Sequence, residues 1–246
     1  MLNLIKMNIS RLFRTKALYT TTIIEFILFF LITMVGGEGS VVEMAGEFLG
    51  SGLVLMLVGI FATVYSDEER KSGFLKNLGS SKGRKRLIFV SKIPVIFLYN
   101  VILLIAGTAA TYIGMMGRGA AIGNLASFAG FLLFETLIGT AFGTAFLAIY
   151  EVARGNVMPI ILTIIAAGNL HGTLLSLAEV KIAQMIPALA PAMEAQILSG
   201  NLIVSRAQEI SVTIPFDHFA VLVVAIVGTV VYAVLGMTVF EKRDTF

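Results

Sequence analysis

Apolar residues in this chain come in long unbroken runs, and the polar positions gather between them. Six runs stand out, at residues 17–35, 49–65, 93–113, 125–149, 157–175 and 218–240. Each approaches or exceeds the roughly 17–25 residues a helix needs to cross a bilayer. None shows the period-2 alternation of a barrel strand, so the pattern predicts helices. In lipid only helices and closed barrels satisfy every backbone polar group. The expected fold is therefore all-α, a polytopic membrane protein of six transmembrane helices in a single domain spanning residues 1–246.

The segments between the runs carry their own patterns. In MLNLIKMNISRLFRTK, residues 1–16, Leu2, Ile5, Ile9, Leu12 and Phe13 fall on one helical face. Asn3, Lys6, Ser10 and Arg14 lie largely opposite. A basic amphipathic helix of this kind lies in the headgroup layer, so lipid is an expected partner. Residues 176–217 form the longest non-spanning stretch. IAQMIPALAPAM within it is too apolar for a solvated loop and too proline-broken to span, which predicts a segment dipping back into the membrane edge. No internal repeat or low-complexity tract is evident.

Composition agrees with this picture. Of 246 residues 57% are hydrophobic and 13% charged, with a mean hydropathy of +0.93; soluble domains carry about 25% charge. There is no cysteine, which excludes disulfides and thiolate metal sites. His171 and His218 lack ligand spacing, so no metal is expected. The pI near 9.2 suggests nucleic acid less than it does membrane orientation. Fifteen of the 18 Lys and Arg residues fall in the amino terminus, the 66–92 loop, the turn at Arg154 and the tail. Only Arg118, Lys181 and Arg206 fall on the other side. Because cytoplasmic loops retain Lys and Arg, both termini and the 66–92 loop are expected in the cytoplasm of a plasma-membrane protein. No cleavable signal is expected, since Glu25 interrupts the first run and no small-residue cleavage site follows closely.

YSDEERKSGFLKNLGSSKGRKRLIFVSK, residues 65–92, holds eleven of the chain's 33 charged residues. DEERKSGFLKNL predicts a short helix, on which Phe74 and Leu78 share a face with Leu75 beside them. An orientation signal accounts for KGRKR, but not for an apolar patch among charges; a docked soluble partner accounts for both. No G-x-x-x-x-G-K-[ST] phosphate loop occurs, so nucleotide hydrolysis is not expected of this chain.

The E-x-x-x-G-hydrophobic spacing of Glu69, Gly73, Phe74, Leu75 and Leu78, after a second span and behind an interfacial helix, resembles the permease subunit of a type-2 ATP-binding-cassette exporter in its small six-span bacterial form. The resemblance implies that residues 66–92 hold a coupling helix seated in a groove of a separate cytoplasmic ATPase subunit, which binds ATP and Mg. It implies a smaller second contact at YEVARGN, with Glu151 and Arg154. It also implies a second permease subunit, identical or not, and no cofactor in this chain. The run KNLGSSKGRK departs from the leucine-rich continuation common in that family, which affects the docking face.

Glu25 and Glu135 lie inside spans, where a carboxylate costs roughly 2.5–3.5 kcal/mol on insertion scales. Lining a translocation path and structural pairing are both open to them. A rival reading makes them relay groups of an ion- or proton-coupled carrier. An intramembrane metallohydrolase would need clustered His and Glu, absent here. Among exporter cargoes, the resemblance favours a hydrophobic or amphipathic compound, such as a bacteriocin- or toxin-like peptide or a drug.

Overall fold

A computed structural model describes residues 2–36, 39–73, 82–153, 155–167 and 219–242, and residues 181, 184 and 185 singly. Among these, helix is the only regular secondary structure. The helices are α1 (Leu2–Leu12), α2 (Lys16–Gly36), α3 (Val41–Leu49), α4 (Gly52–Lys71), α5 (Lys82–Val90), α6 (Ile93–Met116), α7 (Leu125–Ala153), α8 (Val157–Ala167) and α9 (Phe219–Lys242). Four stretches are long and apolar enough to cross a bilayer: α2, Lys85–Met116, α7 and Ala225–Lys242. The pair α3 and α4, bent by 46° at their junction, supplies a fifth if it counts as one span. The expected fifth run is represented by α8 alone; its residues 168–175, and the 176–217 segment apart from residues 181, 184 and 185, lie outside the described residues. The described residues thus hold four or five candidate spans where the hydropathy pattern predicts six.

Between the first two hydropathy runs, Val41–Leu49 forms a further helix, started by a reciprocal cap between Ser40 and Glu43. Such a cap satisfies two orphan N–H donors at once. The segment DEERKSGFLKNL, expected as a short helix, is described only from Asp67 to Gly73. Its first residues continue α4 to Lys71, and the chain then stops at Gly73, whose φ of +69° lies in the left-handed region. Only glycine adopts that conformation without strain, so the helix ends there. Phe74, Leu75 and Leu78 lie outside the described residues.

α7 runs through the middle of the bundle, packed on α4, α6 and α9. α2 flanks α6, and α8 flanks α4. α2 buries only Leu18, Glu25, Phe29 and Thr33, and turns Ile23, Ile24, Ile27, Leu28 and Leu31 outward, as suits a helix at the lipid boundary. Lipid tails are as apolar as leucine, so close fit must hold such helices together. Small residues supply it. Gly139 and Gly143 of α7 press against Asn100 and Ile96 of α6, so this pair packs within the chain. Thr140 and Thr144 return their hydroxyls to carbonyls one turn back, which satisfies those buried donors.

The tightest approach is at Gly52, where an added Cβ would stand 1.9 Å from the Ala167 carbonyl oxygen. Backbone cannot yield as a side chain can. Gly52→Ala is expected to destabilise the bundle by about 1–3 kcal/mol, read as a lower unfolding temperature in detergent, with Gly73→Ala falling only by its left-handed backbone strain.

Candidate functional site

The polar end of α4 is where the helix termini of the charged side converge. A helix turns about 100° per residue, so Tyr65, Ser66, Asp67 and Glu69 point in different directions, and each meets a different element. Toward α1, the Tyr65 hydroxyl donates to the Asn8 carbonyl oxygen at 3.1 Å. Arg11 donates back to the Tyr65 carbonyl oxygen at 3.3 Å, and its guanidinium lies 4.7 Å from the Tyr65 ring centre. Toward the start of α6, Lys92 Nζ lies 2.5 Å from Glu69 Oε2 and donates to Ser66 Oγ at 3.4 Å. Toward α7 and the following turn, Asp67 accepts from the Tyr150 hydroxyl and from Asn156 Nδ2, each at 3.2 Å. The Asn8 side chain closes the ring by donating to Ser91 Oγ at 2.8 Å.

Charge is concentrated at the centre. Glu69 is 0% exposed and Lys92 1%, with Glu151 of α7 3.9 Å from the same ammonium and Arg11 3.4 Å from Glu69. Desolvating a single ion costs several kcal/mol even after relaxation, which only close opposite charge offsets. Two carboxylates facing two cations meet that requirement. The result is a polar knot joining α1, α4, α6 and α7 at one end of an otherwise apolar bundle.

Glu69 and Glu151 were expected to face a partner, and both are interior. Glu69 stands one turn before Gly73, behind the loop rather than on it. Arg154, like the three apolar loop residues, lies outside the described residues. Glu25 is fully buried on α2 against Gly107 of α6, and neither carboxyl oxygen has a hydrogen-bond partner among the described residues. Glu135 is buried on α7, where Asn100 of α6 donates to its backbone carbonyl at 3.0 Å and to that of Thr136 at 3.2 Å. The two acids therefore sit against the same helix, two turns apart along it, on different neighbours. Among the described residues no group of three or more metal-ligating side chains gathers.

Sequence reading passed over Lys92, Asn8, Ser91, Tyr65, Asp67 and Tyr150. One signal was present. Lys92 stands apart from KGRKR, after the apolar LIFV and just before an apolar run; a cation so placed lacks solvated neighbours and calls for a buried counter-charge.

Residues 4–167 match the family model described as ABC-2 family transporter protein. No curated protein matches the sequence.

Proposed function

Because the chain belongs to the ABC-2 family of transporter proteins, as a membrane subunit without an ATPase domain, we propose that it is the permease of an exporter driven by a separate cytoplasmic ATP-binding-cassette subunit. The observation carrying this reading is the polar knot. The loop leaving α4 at Gly73 and returning as α5 is tethered, at both roots, to buried ions that also hold α1 and α7. A push on residues 74–81 would reach several helices at once through these contacts. On this reading Phe74, Leu75 and Leu78 seat in the ATPase, with Gly73 as the bend and Arg154 at a second contact. Glu69 and Glu151 act behind them as transmitters.

Six spans in the whole chain, a second permease subunit, ATP and Mg confined to the partner, and cytoplasmic termini in a plasma membrane complete the proposal. The fifteen-to-three bias of basic residues supports the orientation. The cargo is a hydrophobic or amphipathic compound, peptide or drug, and Glu25 and Glu135 line its path. A carboxyl buried in a span with no hydrogen-bond partner among the described residues, as Glu25 is, supports the latter role.

Isolation of the membrane complex in mild detergent tests the energy source. A soluble ATPase bearing a Walker motif is expected to co-purify. Vesicles holding this chain alone that accumulate solute under a proton gradient would instead establish a carrier using Glu25 and Glu135.

A further inference from the structure

The chain's last helix is clasped to the returning arm of the charged loop. Arg86 of α5 directs both Nε and Nη2 to Glu241 Oε2 of α9, each at 2.7 Å. One turn on, Phe89 is wholly buried, and its ring centre lies 6.3 Å from that of Phe240. Its ring tip fills the notch that Gly236 leaves open, since a Cβ there would stand 2.1 Å from Phe89 Cζ. Lys92, the central cation of the polar knot, lies 5.4 Å from the Phe240 ring centre. Positions 86 and 89 of α5 thus engage 236, 240 and 241 of α9 along a single seam. The far side of α9 exposes Val227, Val230, Val231 and Val234, a surface suited to sliding against lipid.

We propose that α5 and α9 form a strut, in which Phe89 and Gly236 are positioning residues that convey displacement of the loop to the last span. The physical basis is that α5 is covalently continuous with residues 74–81, and that among the described residues this seam joins that returning arm to α9. An aromatic ring locked in a glycine notch resists sliding along the helix, because moving by one residue drives it into a neighbouring side chain. The Arg86–Glu241 ion pair adds a polar contact one turn away on the same seam. The proposal rests on the loop being where the ATPase acts, and it adds that the last helix is a driven element and not a passive one.

The absence of native cysteine allows clean labelling. In the complete complex with its ATPase, spin labels at Leu87→Cys of α5 and Val234→Cys of α9, each paired with Ile27→Cys of α2, report the two movements by pulsed electron resonance. Trapping with ATP and vanadate is expected to shift both distances. In Gly236→Leu the α5 shift is expected to persist and the α9 shift to vanish. Because overpacking can hinder folding, Arg86→Glu gives a surface variant with the same expectation, and adding Glu241→Arg should restore the α9 shift. Persistence of the α9 shift in both variants, or failure of the charge swap to restore it, overturns the strut. Movement of α5 without α9 in the unsubstituted background does so too. No shift at either pair overturns both the strut and the loop reading beneath it.

Discussion

Lys92→Met is expected to be among the most damaging single substitutions in this chain. Methionine keeps the length and apolar stem of lysine but removes the ammonium that faces Glu69 at 2.5 Å and Glu151 at 3.9 Å. Both carboxylates are at most 3% exposed, so neither gains water in exchange. Removing one partner of a buried pair costs about 3–5 kcal/mol, because the residual charge stays desolvated. Lys71→Met is the matched control. Lys71 is 71% exposed, and its partner Asp67 keeps Tyr150 and Asn156. That pair is worth no more than about 1 kcal/mol. Thermal unfolding of the detergent-solubilised chain should separate the two widely. The double variant Lys92→Met with Glu69→Leu should recover part of the loss, since an apolar pair of similar volume often serves as well as a buried ion pair, while Glu151 and Arg11 each still lose a partner. Equal effects of Lys92→Met and Lys71→Met would mean that the knot contributes no buried electrostatics.

That contrast also marks what the sequence discloses. The spans are legible because lipid imposes a length and a polarity on every crossing, and both are local properties of the chain. The cap of α3 was equally local: Ser40 followed three residues later by Glu43 is a start signal in plain view. The extension of α4 through Asp67 and Glu69 is different. A run of DEERK next to a span reads as the start of a short, separate cytoplasmic helix until its partners are known, and those partners are Arg11, Lys92, Tyr150 and Asn156, from 23 to 89 residues away. α1 repeats the lesson. Its period predicted a greasy face toward lipid centred on leucine and isoleucine, yet the residues most buried are Asn8 and Leu12, because Asn8 finds Ser91 across 83 residues. Long-range polar pairing leaves no periodic trace, so the knot was invisible where the spans were not.

Replacing Phe74 and Leu78 together by aspartate is expected to abolish binding of the ATPase subunit while leaving the permease folded. At Gly73 the left-handed backbone ends α4, the helix that carries the knot. Apolar anchors seated in a partner's groove are commonly worth at least about 2 kcal/mol each, a factor of roughly thirty in affinity apiece. Aspartate does more than remove them, since it would carry an unpaired charge into the groove. Two such changes should leave no complex to isolate from detergent, even allowing that anchor energies do not add. The unfolding temperature of the permease alone is the companion measurement, and it should stay near that of the unsubstituted chain, in contrast to Lys92→Met. The two experiments therefore part docking from transmission: one should lose the partner with the fold intact, the other the fold's polar centre with the docking residues intact. Retention of the ATPase by the double aspartate variant would move the docking site away from residues 74–78 and leave the knot as a structural clamp alone.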